Sequence, residues 1–151
     1  MKTSIEIANL TKKRVDSDFV KKIVRKTVKL SEASLDCFDI SVVFVGEAES
    51  RKINRKYRKY DKSTDVLSFN LDSGYNKNGK VLEDLPASSR EASRSGELVL
   101  CSDVIAKNAR DNKVGFSREL AFVLAHGTLH ILGWRHGKKM FDLQDEIVKY
   151  G

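Results

Sequence analysis

The 151-residue sequence predicts a single domain, residues 1–151, in which short strands and amphipathic helices share one core. Three observations lead there. The length matches one compact domain that buries a core without disulfides. Four short segments carry apolar residues as strands do, and five others place them at helical spacing. Hydrophobic residues make up 40% and charged residues 32%, the balance of a globular chain rather than a disordered one.

Residues 4–8, Ser-Ile-Glu-Ile-Ala, alternate as in a half-buried strand, and residues 39–45, Asp-Ile-Ser-Val-Val-Phe-Val, predict a more buried one. Between them Ser17 or Asp18 is expected to cap a helix. Its stripe is Val20, Ile23, Val24, Thr27 and Val28, with Lys21, Lys22, Arg25, Lys26 and Lys29 opposite. Residues 47–60 predict a helix with Ile53, Tyr57 and Tyr60 inward, and residues 65–71 a third strand. From Asp72 to Gly96 the chain is polar, holds the only proline, Pro86, and lacks periodicity, so a long surface loop is expected. Glu97 to Cys101 resumes as a strand, and Ser102 or Asp103 starts a helix to about Asn112. Ser117 is expected to cap a buried central helix through Leu120, Phe122, Val123, Leu124, Leu129, Ile131 and Leu132, which Gly133 ends. A last amphipathic helix carries Met140, Leu143, Ile147 and Val148.

No apolar run approaches the ~20 residues of a membrane helix, so no membrane partner is expected. The first residues lack a basic start followed by an apolar stretch, and Cys37 and Cys101 are too few for a disulfide framework or a four-cysteine zinc site. A cytoplasmic location follows as the expectation. Lys and Arg outnumber Asp and Glu by 28 to 21, a net charge of +7 that favours polyanionic partners.

All three histidines, His126, His130 and His136, fall within eleven residues. His126 and His130 are one turn apart on a helix and point two imidazoles the same way. Gly133 lets the chain turn back and bring His136 as a third ligand. Three neutral nitrogens leave a tetrahedral Zn2+, one per chain, with an open position, the catalytic rather than the structural pattern. Nickel or iron also accepts imidazoles, so zinc is a preference. The spacing is that of the extended zinc-peptidase motif, but the general-base glutamate after the first histidine is replaced by Gly127, which moves no proton.

The run His126-Gly-x-Leu-His130-x-x-Gly133-Trp134-x-His136 resembles the signature of the YbeY family of bacterial rRNA maturation factors. A second block agrees: Asn54-Arg-Lys-Tyr-Arg58-Lys-Tyr-Asp-Lys-Ser-Thr-Asp65-Val-Leu-Ser68-Phe69 is similar to that family's N-x-x-Y/F-R-x-x-D-x-x-T-D-V-L-S-F segment. Gly96-Glu97-Leu98 and Met140 also match, so the resemblance spans residue 40 to the end. It implies an α+β fold with a small mixed β-sheet packed with helices and a three-histidine metal site on a central helix. It further implies a metal-dependent, single-strand-specific endoribonuclease that matures the 3′ end of small-subunit (16S) rRNA and acts in ribosome quality control. The implied partners are single-stranded RNA, rRNA and the small ribosomal subunit with its proteins; DNA is not expected. Two positions depart from the family pattern, Arg135 where Asp is usual before the third histidine and Asn70 where Pro is usual.

Residues 51–62 hold seven basic side chains against one acid, Asp61. On a helix Arg51, Arg55, Arg58 and Lys62 share a face, so Arg51, Arg55 and Lys62 are candidate substrate-binding residues for a phosphate backbone; a merely solvated face is the plain alternative. Arg58 matches the arginine that the family requires, which implies the catalytic role of a planar donor gripping a phosphate near the metal. Asp65 and Ser68 are candidates for fixing the strand and that arginine. Trp134 and Phe69 are expected to pack rather than stack on bases. The competing readings are a zinc metallopeptidase-like hydrolase, which Gly127 opposes, and a non-catalytic ribosome-assembly factor with a structural metal, which the open coordination position and Arg58 oppose.

Overall fold

The structure, a computed structural model, describes residues 2–71 and 93–149. Strand β1 (Lys2–Asn9) buries alternate residues, as its sequence dictates, and leads to helix α1 (Ser17–Leu30). The α1 cap is Asp16, whose carboxylate accepts the Phe19 N–H at 3.1 Å; Ser17 and Asp18 lie inside the first turn. Strand β2 (Cys37–Val45), helix α2 (Glu47–Arg58), strand β3 (Val66–Asn70), strand β4 (Ser93–Cys101) and helix α3 (Ser102–Asp111) follow. The central helix α4 (Phe116–Ile131) starts two residues earlier than expected, with Gly115 rather than Ser117 in the cap position. Helix α5 (Lys138–Lys149) closes the described chain. No helix among the described residues is long and apolar enough to cross a membrane.

The four strands form one mixed sheet in the order β1-β2-β4-β3. β1 and β4 run parallel to β2, whereas β3 pairs antiparallel with β4 and forms an edge. Most of the expected loop, 72–92, lies outside the described residues. Its last four residues, 93–96, are strand instead: they pair with Cys37 to Ile40 of β2, and Gly96 also pairs with Asn70 of β3. Pairing with strands on either side outweighs the polar composition that suggested a loop.

The pleat sorts the strands onto two faces. Phe38, Ile40, Val42, Phe44, Leu98 and Leu100 meet Val20, Ile23, Val24, Leu120, Val123, Leu124 and Ile147 from the helices in the main core. Val45, Leu67 and Val99, with Val43, Ile53 and Phe69 beside them, form a smaller cluster on the other face, where α2 lies. Two glycines let α4 approach the sheet. A Cβ on Gly96 would stand 2.7 Å from Ile131, and one on Gly127 would stand 2.6 Å from Leu98. This places α4 beside the edge strand β3, where the site forms.

Candidate active site

His126 and His130 point from one face of α4, one turn apart, as the i, i+4 spacing requires. The helix then ends in a Schellman turn. Gly133, at φ +96°, donates its N–H to the His130 carbonyl at 3.0 Å, and Trp134 donates to the Leu129 carbonyl at 2.9 Å. That reversal returns His136 to the other two. The three Nε2 atoms stand 3.1, 3.1 and 3.3 Å from one another. Imidazole nitrogens ~2.0–2.1 Å from a tetrahedral zinc are about 3.3 Å apart, so the donor set fits such an ion. The cluster can hold a metal ion.

The tautomer of His130 follows from its neighbour. Its Nδ1 lies 3.1 Å from the Trp134 carbonyl, which only accepts, so Nδ1 carries the proton and Nε2 keeps a lone pair for the site. Burial pushes the His126 imidazole below its ordinary pKa; the neighbouring Gln144 side chain opposes this, and His136 adds to it. Burial likewise lowers His130, with His126 and His136 adding to the effect and the Trp134 carbonyl opposing it. In both groups the shift favours the neutral form, the one that ligates.

Across from the histidines stands the C-terminal end of α2. The inner face of this helix is polar, and the helix ends at Arg58 rather than at residue 60 as expected, so Tyr60 lies beyond it. Ser50 exchanges two hydrogen bonds of 3.0 Å with the Thr64 backbone, and the Asn54 amide donates to the Lys62 carbonyl at 2.8 Å. These buried groups tie residues 62–64 to α2. Lys59, at φ +65°, ends the helix just after Arg58. Tyr57 and Tyr60 are therefore not inward: they are 58% and 54% exposed, and only Ile53 reaches the smaller apolar cluster.

Arg58 and all three histidines line one cleft of about 640 Å³, with Tyr57, Thr64, Asp65, Val66, Leu67, Ser68, Phe69, Phe122 and Val123. Arg51, Arg55 and Lys62 do not line it. Arg51 is held in a bidentate pair with Asp61 at 2.8 and 3.0 Å. Lys62 lies beyond the end of α2, its ammonium 5.7 Å from the Tyr60 ring centroid, so the expected four-residue row along one helix is not formed. The Asp65 carboxylate accepts the Val66 N–H at 2.8 Å and the Thr64 hydroxyl at 3.3 Å, anchoring the start of β3; it makes no ion pair with Arg58 among the described residues. Phe69 packs in the smaller cluster as expected, while Trp134 is only half-buried. Arg135 is exposed and does not line the cleft.

Sequence reasoning passed over the rings that flank the histidines. Phe122 stacks on His126 with centroids 6.5 Å apart, and Phe141 stacks on His136 at 6.1 Å. The rings of Tyr57 and Phe69 meet edge to face at 5.2 Å. The signal for Phe122 was its position one turn before His126. Gly127 faces the sheet, where Leu98 and the Ser68 hydroxyl leave no room for a side chain, so the peptidase glutamate has no place here.

Comparison with known proteins agrees with this geometry. The family model for Endoribonuclease YbeY matches residues 6–150. Endoribonuclease YbeY of Dehalococcoides mccartyi is 34% identical over 136 residues, covering 90% of this chain and 81% of its own. Endoribonuclease YbeY of Staphylococcus aureus is 38% identical over 130 residues, covering 82% and 79%. The solution structure of a Thermotoga maritima protein superposes with a TM-score of 0.61 at 26% identity, over 96% of this chain and 87% of that one. On the match over residues 6–150 and the identity to these relatives, the chain belongs to the endoribonuclease YbeY family.

Proposed function

We propose that this chain is a zinc-dependent, single-strand-specific endoribonuclease of the cytoplasm that matures the 3′ end of 16S rRNA and serves ribosome quality control, with the small ribosomal subunit as its partner. The observation that carries the chemistry is the placement of Arg58 on the same cleft as His126, His130 and His136. The rRNA and ribosomal assignments rest on the family resemblance.

His126, His130 and His136 would hold a Zn2+ ion, which when bound would supply Lewis acidity toward a phosphoryl oxygen. The protein's own groups do the rest. Arg58 is exposed and offers a planar fork that grips two phosphate oxygens as charge gathers on them. Ser50 and Asn54 fix the chain that follows Arg58, so the guanidinium is presented from a braced helix end. Asp65 is occupied with its own strand start and is assigned no proton transfer.

The test compares wild type with Arg58→Ala and His130→Ala, purified in parallel free of host ribonucleases. Metal content and cleavage of single-stranded RNA are measured on the same samples. Arg58→Ala should keep its metal and lose about 10²–10³-fold in cleavage rate, the usual effect of removing one donor to transition-state charge. His130→Ala should lose both. Equal cleavage by all three proteins would overturn the endoribonuclease reading for this chain.

A further inference from the structure

Two buried polar atoms near the metal cluster are left without a hydrogen-bond partner among the described residues: Nδ1 of His126 and Oε1 of Gln144. Gln144 is 0% exposed on the inner face of α5, an unusual place for a polar side chain, whereas its neighbours Met140 and Ile147 fill the core. Its orientation is fixed from one side. The Nε2 amide donates to the Phe122 carbonyl at 3.1 Å, one turn before His126 on α4. The amide oxygen is thereby left as a pure acceptor. His126 has the complementary need: with its Nε2 facing the two other Nε2 atoms, its remaining proton sits on Nδ1. A buried donor and a buried acceptor, each unpaired, stand on helices that pack against each other.

We infer that Gln144 is a positioning residue for the metal centre, its Oε1 accepting the Nδ1–H of His126 and thereby fixing that ligand's tautomer and ring orientation. The pairing does for His126 what the Trp134 carbonyl does for His130. Ligating histidines commonly donate their second nitrogen in this way, and loss of the acceptor lowers metal affinity about 10–100-fold. It also accounts for a glutamine inside an apolar helix face, since an orphaned amide there would destabilise the fold. Of the unpaired buried atoms, these two resolve each other. The inference rests on the metal centre of the proposed function and not on RNA as the substrate.

The test is Zn2+ affinity, measured on the whole untagged chain by competition with a chromophoric chelator, for wild type, Gln144→Leu and Gln144→Glu. Gln144→Leu removes both amide functions and should bind Zn2+ about 10–100-fold more weakly. Gln144→Glu loses the donor to Phe122 but keeps an acceptor for His126, and should bind at least as tightly as wild type. If Gln144→Glu falls as far as Gln144→Leu, the tether to Phe122 is what matters and the inference is overturned; it is equally overturned if neither variant changes affinity. Nitrogen-15 spectra of histidine-labelled, zinc-loaded wild type give a check that needs no variant to fold: His126 should carry its proton on Nδ1, and a proton-free Nδ1 overturns the assignment. Wild type that binds no Zn2+ defeats the metal-centre reading itself, a result distinct from failure of the Gln144 contact.

Discussion

His130 and Trp134 are joined by a 3.1 Å contact in which the carbonyl just past the helix end receives the proton of one of the three clustered imidazoles. The same Trp134 donates its N–H back to Leu129, so one residue both stops α4 and fixes a tautomer. The three-histidine cluster thus depends on the turn between His130 and His136, and Gly133 is its hinge.

Gly133→Ala tests that dependence. At φ +96° an alanine is strained by about 1–2 kcal/mol. The nearest atoms to an added Cβ are those of the Arg94 guanidinium at 3.6 to 3.8 Å, ordinary contact, so the backbone and not a clash causes the loss. Stability by urea unfolding should fall by about that amount, and Zn2+ affinity should fall with it as the path to His136 shifts. Unchanged values in both measurements would show that the turn tolerates a right-handed conformation.

The pH dependence of the metal-free protein follows from the two buried ligands. Burial lowers the pKa of His126 and His130 in the folded state. The unfolded chain therefore takes up protons first as pH falls below about 6.5. Between that value and the lower folded pKa the unfolded state binds more protons, so stability rises with pH through this window and is lost on acidification. Thermal melts of chelator-treated protein should show Tm falling from pH 7 to pH 5, and His126→Ala or His130→Ala should flatten the slope. A flat profile in wild type refutes the shift.

The strand and helix periodicities of this chain carried most of the architecture, because they report which face of each element meets the core. Val20, Ile23, Val24, Thr27 and Val28 all fall on the buried stripe of α1 as read. The misreadings share one cause. Tyr57 and Tyr60 read as an inner face because they are aromatic, whereas α2 packs a polar loop through Ser50 and Asn54, leaves Tyr57 to the cleft and ends before Tyr60. Residues 93–96 read as loop because strand pairing is a property of distant partners that composition does not record. The histidines were legible because side chains four apart on a helix share a face; Gln144 lies on the buried stripe of α5 between Met140 and Ile147 and was passed over because only the apolar residues of that stripe were counted.

Gly127 separates this site from a peptidase with a missing base. Its Cβ position lies 2.6 Å from a Leu98 methyl and 3.1 Å from the Ser68 hydroxyl, and Leu98 is 0% exposed, with no space to withdraw. Gly127→Ala should therefore destabilise the protein by about 1–3 kcal/mol, although alanine favours helix. Gly127→Glu should be worse and should give no peptide hydrolysis, because the added carboxylate meets the sheet instead of the metal. Chelator-sensitive casein cleavage by Gly127→Glu would revive the peptidase reading.

Tyr57 offers the remaining prediction, which rests on RNA as the substrate. It precedes Arg58 on the last turn of α2, lines the same cleft, and is 58% exposed. Phe69 meets its ring edge to face at an interplanar angle of 71°, and the exposed Lys56 ammonium lies 5.1 Å from the ring centroid, where an incoming base would displace it. An exposed ring braced in this way beside a phosphate-gripping arginine suits an unpaired base, and a base inside a duplex is unable to reach it. Tyr57→Ala should weaken binding of a short single-stranded RNA by about 1–3 kcal/mol, the range for loss of one base-stacking side chain. Tyr57→Phe should bind nearly as wild type, since the face and not the hydroxyl does the stacking. Zn2+ affinity should be the same in all three proteins, because Tyr57 lies across the cleft from the histidines, and any loss of packing against Phe69 appears separately as a lower Tm. A fluorescent adenine analogue in the RNA should be quenched by wild type and Tyr57→Phe and not by Tyr57→Ala. If Tyr57→Ala binds and quenches like wild type, the aromatic wall is only packing and single-strand preference arises elsewhere.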